Sequence, residues 1–273
     1  PIERCAVQSE PIAVAASALH AALVATGTSP SMDVHLGLGE HGVVVELRSE
    51  AALPPTVYAA VERLVQGGSV QGVGILAGGA TSHAVFGDPT EAVPGDGAAA
   101  LRVPLGGFSQ ANPAVNRALV ATAVAWAEVQ GQETLELYSG SGNLSVALAA
   151  AGAALTAVER DEAASALALQ NLARRGLSAK VLAGDAAAAP SKRFARVVLD
   201  PPREGAEEAV GRIARVHRPE RIVYVSCDPR TLARDVAELL RGGYELERVR
   251  GFDMFPQTPH VETVALLTRS VPA

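Results

Sequence analysis

Leu135-Glu136-Leu137-Tyr138-Ser139-Gly140-Ser141-Gly142-Asn143 reads as a strand running into a glycine turn and then an apolar helix. Glycines at such a turn let the backbone approach a ligand closely, and the turn opens beyond the carboxyl end of the strand. Nineteen residues after Gly140 stands Glu159, at the end of the next strand-like run. A carboxylate there can accept hydrogen bonds from both ribose hydroxyls of an adenosine cofactor. A dinucleotide fingerprint would want a third glycine at position 145, which is Ser145 here. That departure disfavours NAD and leaves S-adenosylmethionine as the better fit. The competing reading is a tight strand–helix turn without a ligand.

Outward from this turn the second half of the chain alternates strands and helices with short connections, the pattern of an α/β parallel sheet. Strands are expected at Glu133–Tyr138, Ala154–Val158, Lys180–Ala183, Ala195–Leu199 and Arg221–Val225. Helices are expected at Leu144–Ala151, Asp161–Arg175, Ala206–Val216 and Pro229–Arg241, the last stopped by Gly242-Gly243. Two final strands, Glu245–Phe252 and Glu262–Thr268, are joined too closely for a crossover helix and predict an antiparallel hairpin at the sheet edge.

The first hundred residues differ. They predict helices at Ile12–Thr26 and Pro55–Gln66, and a hairpin over Met32–Arg48. Further strands are predicted at Gly72–Leu76, Ala84–Val85 and Ala99–Val103, the last after a turn at Pro94-Gly95-Asp96-Gly97. A boundary near Pro104–Phe108 then separates a smaller α+β domain, residues 1–105, from a Rossmann-like catalytic domain, residues 106–273.

The chain has 273 residues, 48% of them hydrophobic, ample for packed cores. No apolar run reaches membrane-spanning length, and the N-terminus lacks a signal-peptide plan, so a cytoplasmic location is expected. Two cysteines, Cys5 and Cys227, make neither a disulfide framework nor a CxxC pair, and no metal site is expected. The net charge of −6 argues against indiscriminate coating of nucleic acid. Arg174, Arg175, Lys180, Lys192, Arg193, Arg196 and Arg203 form either a local basic face or an ordinary solvated surface.

Three loops carry the chemistry. Asp200-Pro201-Pro202-Arg203 follows the apolar strand Val197-Val198-Leu199, and its prolines stiffen the loop that presents Asp200. Asp185, after the third strand, either faces an adenine or caps a turn. In Tyr224-Val225-Ser226-Cys227-Asp228-Pro229-Arg230, Asp228 suits a helix N-cap and Pro229 the first helical position. The thiol of Cys227 is therefore expected at a helix N-terminus near Arg230, where its pKa falls toward a usable thiolate. Such a thiolate solves one problem in particular, since carbon 5 of uracil is too weak a nucleophile to take a sulfonium methyl unaided. Thiolate addition at carbon 6 makes an enolate that activates carbon 5, and a base must then remove the carbon 5 proton. Phe255-Pro256-Gln257-Thr258-Pro259-His260-Val261-Glu262 offers two bases, Glu262 and His260.

With these segments in view, the chain from about Phe108 to Arg269 resembles the S-adenosylmethionine-dependent RNA 5-methyluridine (uracil-C5) methyltransferases that act on tRNA or ribosomal RNA. The marks are Phe108-Ser109-Gln110-Ala111-Asn112, Asp200-Pro201-Pro202-Arg203-Glu204-Gly205, Ser226-Cys227-Asp228-Pro229 and Pro256-Gln257-Thr258-Pro259-His260-Val261-Glu262. The resemblance implies Cys227 as nucleophile and Glu262 as proton acceptor. It also implies that Gln110, Tyr138, Asn143, Glu159 and Asp200 contact S-adenosylmethionine, with Gly140 in the turn and Asp185 as a further candidate. Asn143 is expected to cap its helix as well. An exposed loop uridine is the expected target, because carbons 5 and 6 must leave any stack. This chain departs from many members in lacking an N-terminal oligonucleotide-binding barrel and four iron–sulfur cysteines, and it carries Ser139 where a cysteine is common. Three alternatives stay open: cytosine-C5 chemistry, methylation of an exocyclic amine, and a non-catalytic RNA-binding module. Trp126 is expected in a helix core rather than as a base-stacking platform.

Overall fold

The computed structural model describes residues 9–94 and 99–269. Cys5 and the predicted turn residues Gly95, Asp96 and Gly97 lie outside them. The chain divides into two compact units, one of residues up to Val93 with Arg102–Phe108, the other of Pro94–Leu101 with the residues from Ser109 onward.

In the first unit, helix α1 (Glu10–Val24) precedes the antiparallel strands β1 (Asp33–Leu38) and β2 (Val43–Ser49). Helix α2 (Pro55–Gln66) leads to β3 (Gly72–Ala77), which lies parallel to β2, and β4 (Ala84–Gly87) pairs antiparallel with β3. This four-stranded sheet buries Val45, Leu47, Val73 and Ile75 against Ala15, Leu19, Val57 and Val61 of the two helices. Short strands β5 (Glu91–Val93) and β6 (Leu101–Val103) pair with each other. Glu46, almost fully buried on β2, holds Arg48 at 2.9 Å and His83 at 2.7 Å. Burial pushes its carboxyl up, but these two partners outweigh that and hold it below the ordinary glutamate value.

The second unit opens with helix α3 (Pro113–Ala127), capped by Asn112, whose side chain accepts from the N–H groups of Ala114 and Val115. A seven-stranded sheet follows: β7 (Glu133–Leu137), β8 (Ala154–Glu159), β9 (Lys180–Ala183), β10 (Arg196–Leu199), β11 (Arg221–Ser226), β12 (Tyr244–Phe252) and β13 (Glu262–Arg269). Their order across the sheet is β12-β13-β11-β10-β7-β8-β9. The five from β11 to β9 are parallel, and β13 runs antiparallel to both β11 and β12. The final hairpin therefore sits at the edge, as the short connection required. After β9 the chain crosses over to β10 on the far side of β7. The order reverses there, beyond the carboxyl ends of β7 and β10, the place at which open α/β sheets take their ligands.

Side-chain alternation sorts the core into two layers. Leu135, Leu137, Val197, Leu199, Ile222 and Tyr224 point toward helices α6 (Glu207–Arg212) and α7 (Pro229–Arg241). Val198, Val223, Val225, Val264 and Leu266 point toward α3 and α4 (Asn143–Ala150), and Trp126 packs against this second layer. Complete burial of each such aliphatic side chain contributes about 1.5–3 kcal/mol. Helix α5 (Glu162–Ala173) covers β8 and β9, its N-terminus capped by Asp161.

Two predicted segments differ from what forms. The helix expected over Ala206–Val216 is regular only to Arg212 and widens into a π-helical turn, Ile213–His217, that ends at Arg218 with φ 47°. The strand expected from Ala99 begins at Leu101, because the carbonyls of Ala99 and Ala100 are taken by the Arg175 guanidinium. No helix among the described residues is long and apolar enough to cross a membrane.

Candidate active site

The glycine turn after β7 is built to stay open. Tyr138, Gly140 and Gly142 have φ of 62°, 54° and 92°, the left-handed region that a bulky residue adopts at a cost of order 1–3 kcal/mol. The surroundings hold the turn in that shape. Ser139 N–H donates to Val158 O, and Gly142 N–H donates to Ser139 O. The fully buried Asn171 of α5 donates its side-chain amide to Ser141 O at 2.9 Å. A methyl group added at Gly140 would meet no atom within 4 Å, so the space before the turn is clear.

Glu159 lies against this turn. One carboxylate oxygen accepts Gly140 N–H and the other accepts Asp161 N–H, both at 2.8 Å. A carboxylate offers about four lone-pair sites, so each oxygen keeps capacity for a ligand hydroxyl while the backbone fixes its direction. Asn143 behaves differently from expectation. Gly142, not Asn143, stands at the N-cap of α4, and no side chain caps that helix. The Asn143 amide instead makes a reciprocal pair with Asn116 of α3, at 2.9 and 3.0 Å. Asp185 is exposed and caps the short turn Ala186–Ala188 by accepting Ala187 N–H.

Gln110 Oε1 and Ser139 Oγ, two of three such side-chain atoms among the described residues, are buried without a hydrogen-bond partner. Buried acceptors and hydroxyls are rarely left so, and each is a position that a ligand donor or acceptor can satisfy. Together with the clear space at Gly140 and the directed Glu159 carboxylate, they fit an adenosine-bearing cofactor.

Under the turn lies a buried acid that the sequence reading passed over. Glu136, 1% exposed, accepts the Ser145 hydroxyl of α4 at 2.6 Å and so ties β7 to the helix after the turn. Burial, with help from Asp200 and Glu159, pushes its carboxyl up to about 8. Burial and Glu262 likewise push Asp200 up to about 7. A carboxyl whose folded pKa exceeds its unfolded one contributes stability that is complete below the unfolded value and lost as pH rises through the folded value. The second unit should therefore lose stability between about pH 4.5 and pH 8. Glu136→Gln keeps the shape, removes the charge and should raise stability at pH 8 by on the order of a few kcal/mol relative to wild type. Chemical denaturation at pH 5 and pH 8 reads this, and parallel pH dependences in the two proteins would refute it.

Cys227 follows β11 directly and is half-buried. Ser226 brackets it, because its hydroxyl donates to Asp228 O and accepts Asp228 N–H. Asp228 then caps α7 by accepting the N–H groups of Arg230 and Thr231. The geometry expected of a helix N-terminus is therefore present, yet the thiol pKa moves up, not down. Burial is the largest cause, followed by the charges of Glu262 and Asp200, and the opposing pull of backbone hydrogen bonding and Arg203 is weaker. Arg203, on the Asp200 loop, is a cation that draws the thiol down. Glu262, first residue of β13 and 3% exposed, is also pushed up by burial and drawn down by Arg203. Cys227, Glu262, Asp200 and Arg203 thus sense one another at the carboxyl end of the sheet. His260 is exposed, with its ring edge-on to Phe255.

The cationic stretch does not form one free face. Arg175 binds Asn171 O and the Ala99 carbonyl, Lys192 pairs with Glu133, and the largely buried Arg196 pairs with Glu220.

A family model described as tRNA (uracil-5-)-methyltransferase matches residues 95–183 and 186–270, more than half of the chain. A 23S rRNA (uracil(1939)-C(5))-methyltransferase of Pseudomonas fluorescens is 42% identical over 173 residues, 60% of this chain and 38% of its own. The corresponding enzyme of Alkalilimnicola ehrlichii is 37% identical over 256 residues, 88% of this chain and 56% of its own. The chain thus spans from over a third to just over half of these relatives. The crystal structure of Pyrococcus abyssi tRNA (uracil-54, C5)-methyltransferase with S-adenosyl-L-homocysteine superposes with a TM-score of 0.78 at 25% identity, covering 98% of this chain and 69% of that one.

Proposed function

This chain belongs to the tRNA (uracil-5-)-methyltransferase family, and from that premise we propose that it transfers a methyl group from S-adenosylmethionine to carbon 5 of a uridine in tRNA or ribosomal RNA. The observation that carries the proposal is that Asp200 follows β10, Cys227 follows β11 and Glu262 begins β13, three neighbouring strands, which gathers a thiol and two carboxyls at one edge of the sheet. S-adenosylmethionine, when bound, supplies the methyl group as an electrophilic sulfonium carbon.

Gln110, Tyr138, Gly140, Asn143, Glu159 and Asp200 would hold the cofactor. Glu159 takes the ribose hydroxyls, and the orphaned Gln110 Oε1 gains a donor. Asp185 spends one lone pair on its turn and keeps others for the adenine. Cys227 Sγ, as thiolate, bonds to carbon 6 of uracil and pushes the 5,6-double-bond pair toward carbon 5 and the carbon 4 oxygen. After methylation, Glu262 takes the proton from carbon 5. The freed pair restores the 5,6-double bond, the carbon–sulfur bond breaks and the thiolate returns. Glu262 suits the base because burial raises its pKa, which strengthens it as a proton acceptor. A uridine in an exposed loop is the substrate, since both carbons must be unstacked.

The test is a loop RNA carrying 5-fluorouridine, incubated with S-adenosylmethionine. Fluorine cannot leave as a proton, so a denaturation-stable protein–RNA complex should form. No complex with any tRNA or ribosomal loop, despite cofactor binding by calorimetry, would overturn the reading. The first unit is assigned the guiding of RNA; a chain lacking residues 1–105 that ranks loop RNAs as the full chain does would remove that role.

A further inference from the structure

The Asp-Pro-Pro-Arg loop and the helix that begins just after Cys227 meet at a buried carboxylate that takes no part in the chemistry above. Asp235, on the second turn of α7, is 1% exposed. One of its oxygens accepts two short hydrogen bonds, from Ala206 N–H and from the Tyr224 hydroxyl, each 2.6 Å. Its other oxygen accepts Arg234 Nε at 2.9 Å. Arg234 in turn donates through Nη2 to Glu204 O at 2.8 Å and reaches Glu207 at 3.5 Å. Between these anchors Gly205 takes φ 80°, and a methyl group there would come within 2.7 Å of Asp235 and 2.6 Å of Arg234. Tyr224 lies two residues before Ser226 on β11, fully buried, with burial and then its bond to Asp235 keeping the phenol protonated.

The bonds from Tyr224, from Ala206 and, by way of Arg234, to Glu204 join three elements. Tyr224 belongs to the strand that delivers Cys227, Asp235 and Arg234 to the helix that begins beside it, and Glu204–Ala206 to the end of the loop carrying Asp200 and Arg203. Beside burial and Glu262, those two loop residues act on the Cys227 thiol, in opposite senses. We infer that Asp235 is a positioning residue, which locks the Asp200–Arg203 loop to Cys227 through Tyr224, Ala206 and Arg234. A buried, charge-assisted carboxylate with three donors makes a stiff joint, because losing any donor leaves part of the anion unpaired in a dry interior. Hydrophobic packing alone, which also surrounds Tyr224, would set the distance between these elements and not their angle.

The inference rests on the proposed uridine-C5 chemistry only for its activity readout. Tyr224→Phe and Asp235→Asn are compared with wild type in the rate of 5-fluorouridine adduct formation and in S-adenosylmethionine affinity. Adduct formation should slow by about tenfold to a hundredfold, the scale expected for small misplacement of reacting groups. Cofactor affinity should fall by a clearly smaller factor, since Asp200 alone of the proposed cofactor residues lies on this loop and the glycine turn, Glu159 and Gln110 lie on other elements. Equal loss of both, or loss of neither, would overturn the inference. A second readout needs no RNA. On a Cys5→Ser background, Cys227 is the single thiol, and its iodoacetamide alkylation across pH reports the charges held around it. That profile should shift in Asp235→Asn, and an unmoved profile would overturn the inference even if wild type formed no adduct. Absence of adduct with a shifted profile would remove the proposed function and leave the joint standing.

Discussion

Cys227→Ala should abolish methyl transfer, lowering turnover by roughly 10⁴-fold or more, while S-adenosylmethionine still binds. The separation is expected because the glycine turn, Glu159 and Gln110 lie on β7, β8 and the segment before α3, and none of their hydrogen bonds involves Cys227. Alanine removes one sulfur from a half-buried position and leaves the Ser226–Asp228 bracket intact, so folding should survive. The measurement is methyl incorporation into a loop RNA beside calorimetric cofactor binding. Appreciable residual turnover would favour methylation of an exocyclic amine, which needs no thiolate. The wild-type pH profile is the companion result. Burial, Glu262 and Asp200 raise the thiol, so the thiolate fraction at neutrality is small and the rate should climb past the ordinary cysteine value of 9.0. Glu262 must also be ionised to act as base, so both groups contribute ascending limbs. A rate that peaked near neutrality and fell toward pH 9 would contradict this arrangement.

The raised thiol marks where reading the chain succeeds and where it stops. Local signals were sufficient for the elements: Asp228-Pro229 marks the start of α7, Gly242-Gly243 its end, and Pro55–Gln66 forms as a helix within its expected bounds. The short connection before Glu262 was sufficient for the edge hairpin. Such features depend on residues a few positions apart. The pKa of Cys227 depends on Glu262 and Asp200, thirty-five and twenty-seven positions away. Sequence shows the helix N-terminus and its favourable dipole, but it does not show which carboxylates a sheet edge gathers around it. Asn143 teaches the same point, since its preference for caps yields to a partner amide on α3. Glu136 and Asp235 were passed over because nothing next to them in sequence announces their partners, Ser145 and Tyr224. A charged residue at a core position of a strand or helix is the available signal, and both carry it.

Glu262→Gln should stall the enzyme on ordinary uridine. Glutamine matches the volume of the buried side chain and keeps the register of β13, whose first residue faces Phe252 of β12. It removes a negative charge that raises the Cys227 thiol, so thiolate formation becomes easier and attack on carbon 6 is not slowed. Methyl transfer to carbon 5 needs no base. Only the last step, removal of the carbon 5 proton, loses its acceptor, and turnover should fall by about 10²–10⁴-fold. The methylated adduct should therefore accumulate, visible as a protein–RNA band on a denaturing gel that carries label from methyl-labelled S-adenosylmethionine. Wild type should show no such band with unmodified RNA, because elimination follows at once. Turnover close to wild type would transfer the base role to His260, whose exposed ring lies two residues away. Lost turnover without a labelled band would mean that Glu262 acts before methyl transfer, and the order of steps proposed above would fall.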